Sequence, residues 1–387
     1  MIDWEKLKAG FERVYKESPM VMARAPGRVN LIGEHIDYIG GHVLPIAVDM
    51  GVGAAISKTN NKQNEIFSAQ YQHEQNAEIH KVERFVRALQ EKLSAPRVRL
   101  FVDSDLPIGA GLSSSAAFSV SVASALIALI GGIDLSGLEL ARLCVSAEQD
   151  ALGTKCGLMD PFTAIFAQKD KALLLNCADE SHKLIDINLA SALTVVIDSG
   201  EPRTLAQSSY NQRRQEIDNA LSQALKRFPS AHSIWEVRRE VLNILPELEP
   251  LLAKRLRHAI TEDDRVLKFA EALSTGQVSE MGKLLIASHK SLRDDYEVST
   301  PAIDFLVDEL IAQPGVHGAR IVGGGFGGSV LALVEASSRA SALSAVIAKY
   351  KNRFGRTATP FVVSSHHSAE VLIGGNAHNI LELLRRN

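Results

Sequence analysis

Cysteine is scarce in this sequence. The three that occur, Cys144, Cys156 and Cys177, cannot close a disulfide framework and lack zinc-ligand spacing. A reduced, cytoplasmic setting is therefore the expectation. Long apolar runs are missing too: the longest, residues 122–130 around one Ser, is too short to cross a bilayer. Residues 1–18 are charged, read as an amphipathic helix, and lack the basic-then-apolar layout of a secretion signal. Nor is there a surplus of positive charge. Lys and Arg total 42 against 45 Asp and Glu, a formal net charge of −3. Binding a nucleic-acid backbone needs a concentrated basic face, so neither nucleic acid nor membrane is an expected partner. Internal repeats and low-complexity tracts are absent. What is present is a chain of 387 residues, 46% hydrophobic and 22% charged, the profile of an ordinary globular protein with room for two domains.

The segments alternate between strand-like and helix-like character. Residues 98–102 (VRLFV) read as a strand, and residues 106–111 as a Pro/Gly turn. Ser113, Ser114 and Ser115 then open a helix over residues 116–130, stopped by Gly131-Gly132. Its interior stretch 119–122 (SVSV) alternates like a strand. Residues 173–175 and 193–197 read as strands, and residues 210–275 as charged surface helices. Residues 318–334 read as strand, glycine loop, strand. The polar stretch 178–187 is the preferred domain junction. The fold class is mixed α and β.

Three glycine-rich stations carry the chemistry. The first, APGRVNLIGEHIDY, spans residues 25–38. It crowds Arg28, Asn30, Glu34, His35 and Asp37 beside Val29, Leu31 and Ile32. Isolated polar residues are usually surface decoration, but groups packed this densely become buried only if something hydrogen-bonds them. A polyhydroxylated ligand satisfies them well, with carboxylates accepting from paired hydroxyls and Arg or His donating back. A metal site from Glu34, His35 and Asp37 has no evident further ligands.

The second station, LPIGAGLSSSAA, covers residues 106–117. Glycines permit close backbone approach, serines add hydroxyls, and a helix start presents free N–H groups to an anion. In physical terms this is a phosphate cradle; the plain alternative is a Ser-capped helix after a tight turn. No Gly-Lys-Ser/Thr ending occurs in the chain, which excludes a Walker A loop. Residues 111–115 also lack the closing glycine of a nucleophile elbow. The third station, GGGFGG at residues 323–328, is entropically costly to order. It signals close backbone approach to a ligand or to another segment, or else a tight turn.

In this order and at these separations the stations resemble the motifs of the GHMP small-molecule kinases, and in detail the galactokinase family. GRVNLIGEHIDY (27–38) resembles that family's signature, and LPIA (44–47) continues it. CGLMD (156–160), SYNQRR (209–214) and SHKSLRDDYEVS (288–299) resemble further family stretches. The resemblance implies an α/β (α+β) fold of two domains with the active site in the cleft between them. Residues 1–180 would carry the sugar motif and phosphate loop, and residues 181–387 the third motif. It implies transfer of the γ-phosphoryl of ATP to the anomeric hydroxyl of α-D-galactose, with Mg2+. Asp160 matches the catalytic aspartate and Arg28 its partner. Glu34, His35, Asp37, Gly157 and Tyr210 match sugar-contacting positions. Gly109, Ala110, Gly111, Leu112, Ser113, Ser114, Ser115 and Ala116 match the nucleotide phosphate loop. Ser115 (or Ser114) and Glu148 match the magnesium ligands. Sugar and ATP are then the partners of an expected monomer.

The chemistry is coherent on its own terms. Phosphoryl transfer asks for positioning, charge stabilisation and a carboxylate placed to take the attacking hydroxyl's proton. A neighbouring guanidinium keeps such a carboxylate ionised. Taken singly, Asp160 before Pro161 reads as an N-cap or turn residue, Tyr210 as helix surface and Cys156 as a small structural side chain. Ile36 and Ile39 stand where many galactokinases have Thr and Asn, and EHIDY also occurs in N-acetylgalactosamine kinases. Pro161 stands where Gln is common, and Val322 where Thr is frequent. These departures bear on which sugar is taken rather than on the reaction. A C1 kinase for N-acetylgalactosamine or another sugar, and a non-catalytic sugar and ATP sensor, are the alternatives. Sensors resembling this family lack a Ser-Ala pair in the phosphate loop, and Ser115-Ala116 is intact here.

Overall fold

The computed structural model describes residues 1–70, 77–107, 109–153, 157–201 and 206–385; Cys156 lies outside them. In chain order the first elements are α1 (Trp4–Tyr15), β1 (Val21–Asn30), β2 (His42–Val43), β3 (Pro45–Lys58), β4 (Glu65–Ser68), α2 (Ala77–Leu93), β5 (Val98–Ser104) and α3 (Ser114–Ile130). There follow α4 (Gly137–Leu152), α5 (Met159–Phe166), β6 (Lys171–Asn176), β7 (His182–Asp186), β8 (Ala192–Asp198), α6 (Ala206–Leu225), α7 (Arg238–Ile244) and α8 (Pro250–Thr275). The last are α9 (Val278–Asp294), α10 (Pro301–Ile311), β9 (Val316–Val322), β10 (Ser329–Glu335), α11 (Arg339–Phe354), β11 (Thr359–Val363), β12 (Glu370–Ile373), β13 (Asn376–Asn379) and α12 (Ile380–Arg385).

The strands form three sheets. One runs β13-β12-β1-β3-β5-β4, a second β11-β8-β10-β9, and a third β2-β6-β7. The first is covered on both faces, and its side-chain alternation shows why. Met22, Ala55 and Phe101 point into a small core under α1, built on Leu7 and Phe11. Their neighbours Ala23, Ala54, Leu100 and Val102 point the other way, into the main core with α3. α1 begins on Asp3, whose carboxylate accepts from the N–H groups of Glu5 and Lys6. α3 is apolar almost all round and accordingly buried. Its strand-like stretch is helical, and the buried hydroxyls of Ser119 and Ser121 are satisfied by donating back to the carbonyls of Ala116 and Phe118.

The expected strands at 98–102, 173–175 and 193–197 fall within β5, β6 and β8. Residues 318–334 fold as strand, loop, strand, with β9 and β10 antiparallel. The stretch 178–187, preferred as the domain junction, instead contains strand β7, which pairs with β6 through Leu173 opposite Leu184. Its polar residues face outward while Leu184 and Ile185 stay half-buried, which hides the strand from composition alone. The chain also returns late. β12 pairs with β1, Ala23 opposite Val371, so residues 370–379 complete the sheet begun by residue 21. The main core likewise runs from β1 through α3 to α8 and on to Leu333.

Candidate active site

The site begins with an irregularity in a strand. β1 and β3 pair antiparallel over their length, but the register shifts between Pro26 and Arg28. Pro26 has no N–H to give the ladder, and Gly27 is pressed against the serine loop, where an added Cβ would lie 2.6 Å from the Leu112 carbonyl oxygen. The bulge turns Arg28 toward that loop: its N–H donates to Leu112 O at 3.1 Å. Its side chain then reaches Asp160 in a fork, Nε to Oδ1 at 2.6 Å and Nη2 to Oδ2 at 2.7 Å. The remaining nitrogen, Nη1, donates to Gly111 O at 2.9 Å. Ser113 Oγ also donates to Asp160 Oδ2. Asp160 sits in the first turn of α5, behind the cap residue Leu158, so it is neither an N-cap nor a loop residue. Arg28 and Asp160 thus join the first station to the second.

Beyond this pair lies a cavity of about 160 Å³. Arg28, Glu34, His35, Asp37, Gly157, Asp160 and Tyr210 all line it, together with Tyr38, Met159, Gly323 and Gly324. Every residue matched to catalysis or sugar contact is therefore brought to one hollow. Gly157 is required there for space: a Cβ on it would fall 1.9 Å from Asp37 Oδ2. Burial, with the Asp160 and Glu34 carboxylates nearby, pushes the Asp37 carboxyl up to about 7. Burial and the neighbouring His258 bring His35 down to about 3, so its imidazole is neutral near pH 7. His35 also holds a left-handed φ of 63°, a strained conformation of the kind that clusters at functional sites. Its Nδ1 meets Tyr38 Oη at 3.0 Å, and Tyr38 Oη meets Tyr296 Oη at 2.9 Å. Tyr210 leaves the helix surface to lie against Gly324 and the His35 ring.

A second cavity, of about 240 Å³, also borders Arg28 and shares Gly323 and Gly324 with the first. Gly109, Gly111, Leu112, Ser113, Ser114 and Ser115 line it. Ala110 and Ala116 do not. Ala110 is buried with its carbonyl taken by Ser329 Oγ at 2.7 Å, and Ala116 is buried in α3. Ser113 has a left-handed φ of 59° and Ala117 N–H bonds back to Ser113 O. The N–H groups of Ser114, Ser115 and Ala116 therefore open the helix without an intrahelical acceptor, as an anion site requires. A third, largely apolar cavity of about 260 Å³ continues from Leu106, Ser114 and Ser115 to Val82, Phe85 and Phe118.

Glu148 lines none of these cavities; it is buried on α4. Cys144 reaches Ser119, which sets α4 beside α3. Glu148 is one turn on from Cys144, and Ser115 one turn back from Ser119. Their hard oxygens suit Mg2+, and the few protein donors suit an ion that is also held by nucleotide phosphates. Among the described residues no group of three or more His, Cys, Asp or Glu is placed to hold a metal by itself.

The sequence reading missed several residues that shape the site, including Arg320, Glu262, His258 and Tyr296. Arg320 left a mark as a single charge inside the apolar strand β9 (VHGARIV), and Tyr296 falls within the family stretch 288–299 but with no role assigned to it. The others lie in helical or loop segments where a polar residue reads as surface.

Comparison with known proteins accounts for this arrangement. Residues 9–58 match the galactokinase galactose-binding signature, residues 80–168 the N-terminal domain of GHMP kinases, and residues 269–352 their C-terminal domain. A galactokinase from Chloroflexus aggregans is 39% identical over 383 residues, covering 94% of this chain and 97% of that protein. The chain belongs to the galactokinase family. A second member, from Thermotoga maritima, is 39% identical over 343 residues, covering 86% of this chain and 94% of its own. Among solved structures, Lactococcus lactis galactokinase complexed with galactose superimposes with a TM-score of 0.87 at 29% identity, over 94% of this chain and 98% of that one. Methanococcus jannaschii mevalonate kinase has a TM-score of 0.64 at 18% identity, over 91% and 100% of the two chains, which shows a shared fold. Membership of the galactokinase family makes the chain a sugar kinase, with ATP as the phosphoryl donor. Among the described residues no helix is long and apolar enough to cross a membrane.

Proposed function

We propose that this protein transfers the γ-phosphoryl group of ATP to the C1 hydroxyl of α-D-galactose, giving galactose 1-phosphate and ADP. The observation that carries the reading is the Arg28–Asp160 fork, standing where the polar hollow of the first station meets the serine-lined hollow of the second. Asp160 accepts the proton of the C1 hydroxyl as its oxygen bonds to the γ-phosphorus, and the bond to the bridging oxygen of ADP breaks. Arg28 fixes the carboxylate by its fork and sets a guanidinium beside the reacting oxygens. Glu34, His35, Asp37, Gly157 and Tyr210 hold the sugar. The open N–H groups at the start of α3 and the glycines of residues 109–111 take the phosphates.

The apolar cavity past Ser115, with Phe85 and Phe118, receives the nucleoside. Mg2+, when bound with the nucleotide, neutralises phosphate charge; Ser115 and Glu148 are the residues that would hold it. A cytoplasmic monomer completes the reading.

A coupled ADP-release assay tests the proposal with galactose, its 2-amino and 2-acetamido derivatives, glucose and mevalonate as acceptors. Turnover greatest with galactose is the expected result. Preference for the 2-acetamido sugar would reassign the acceptor, and ATP binding with no turnover on any sugar would make the protein a sensor.

A further inference from the structure

Arg320 is fully buried on β9, and its guanidinium is spent almost wholly on the first station. Nε donates to Leu31 O at 2.9 Å, and Nη2 to Asn30 O at 2.6 Å and to Glu34 Oε1 at 3.2 Å. Nη1 closes on the carbonyl of Ile321 at 2.8 Å. Glu34 Oε1 takes a second bond, from the N–H of Gly323 at 2.9 Å. One oxygen of this cavity-lining carboxylate is thus saturated by β9 and the loop after it. Oε2 has no hydrogen bond within the described residues, and Glu34 faces the hollow. A buried cation is tolerated only when its donors are met, and here three of its acceptors belong to residues 30–34.

We propose that Arg320 is a positioning residue for the sugar. By holding Glu34 Oε1 and the main chain of Asn30 and Leu31, it leaves Oε2 as the one oxygen free to accept from a sugar hydroxyl. Gly323, bonded to the same oxygen, makes the third station part of the sugar site, although Arg320 itself does not line the hollow. The inference rests on the proposed function for the identity of the ligand only.

The test is galactose affinity by calorimetry, in the absence of ATP, for the parent chain, Arg320→Lys, Arg320→Met, Glu34→Ala and the double variant Arg320→Met/Glu34→Ala. A charge-assisted bond of this kind supports a loss of roughly 10- to 100-fold in galactose affinity for Arg320→Met, with a smaller loss for Arg320→Lys. In the Glu34→Ala background the same substitution should cost little more, and the Kd for ATP, measured by calorimetry without sugar, should stay within about twofold. An equal loss in both backgrounds, or parallel losses for sugar and ATP, would assign Arg320 a purely structural role and overturn the inference. Hydrogen exchange on the parent chain gives a second reading that needs no variant. Galactose should slow exchange across residues 316–323, which carry the Gly323 N–H, and unchanged exchange there overturns the inference as well. Because neither readout requires turnover, a chain that binds galactose without phosphorylating it would defeat the proposed reaction and leave this inference supported. A parent chain that binds no galactose would defeat both.

Discussion

Residues 25–38 and residues 106–116 meet at Arg28, yet the two stretches are held in opposite ways. The first is tied from behind at nearly every step. Gly33 N–H donates to Glu262 Oε1 at 3.1 Å, Glu34 O faces His258 Nε2 at 3.1 Å, and Arg320 grips Asn30, Leu31 and Glu34. These supports are themselves buried and paired. Burial alone raises the Glu262 carboxyl, but Arg265 and the other cations around it outweigh that and hold it at about 2. The second stretch is tied mostly through its carbonyls, at Ala110, Gly111 and Leu112. The N–H groups at its helix start have no intrahelical acceptor, and Ser114 and Ser115 line the second cavity. A surface that must tell one hydroxyl pattern from another gains from preorganisation. A surface that must take a triphosphate, whose charge is its main feature, needs free donors more than rigidity.

The sharpest way to break this comparison acts on the group both stretches share. Asp160→Ala should lower kcat by about 10³-fold or more, the scale of losing a positioned base together with its charge partner. Galactose binding should remain measurable by calorimetry, because the ties of residues 30–34 do not pass through Asp160. Substantial ADP release by this variant would remove Asp160 from the reaction.

A pair of glycine substitutions sharpens the contrast in stability. Gly33 holds φ +104°, and an added Cβ would lie 2.8 Å from His42 O and 2.9 Å from Val266 Cγ2. Gly33→Ala should cost roughly 2–4 kcal/mol in urea unfolding, from overpacking and backbone strain together. Gly109 holds φ +81° with nothing within 4 Å of the added Cβ, so Gly109→Ala should cost only about 1 kcal/mol. The second change should raise the KM for ATP and leave galactose affinity alone. Equal costs at the two positions would mean that the stretches are equally constrained.

The smallest effect concerns pH. The folded Asp37 carboxyl, raised from its ordinary 3.8 to about 7, keeps a proton that the unfolded chain has lost between those values. The folded state then binds more protons, so this group subtracts stability as pH rises from about 4 to about 7, and no more above that. Asp37→Asn should therefore gain in melting temperature relative to the parent between pH 5 and pH 8, by a few degrees. A gap that does not change with pH would mean that Asp37 titrates normally in the folded chain.

The departures from the family pattern show where reading a sequence falls short. Ile36 stands inside the signature and was the natural place to look for a change of sugar. In the fold its side chain is fully buried in the main core, against Gly41. Ile39 presents its carbonyl to Trp235 Nε1 at 3.0 Å. Neither residue lines the sugar hollow. Tyr38, between them, does, and no feature of its type or spacing marked it. The hidden strand β7 and the late return of residues 370–379 to β1 escaped for a related reason. Short, half-polar strands carry too little periodicity to be seen without their partners.

By itself, then, the sequence determined the family, the order of its three stations and the polar side chains of Arg28, Glu34, His35, Asp37, Asp160 and Tyr210 that line the hollow, because those residues must be of one chemical kind wherever the chain places them. The tertiary structure alone decided which groups are tied and which are free. The Arg28–Asp160 fork, the saturation of one Glu34 oxygen by Arg320 and Gly323, and the burial beside Asp160 that raises the Asp37 carboxyl all need neighbours that are distant in sequence. Burial and partnership belong to the packed chain, and no residue type carries them alone.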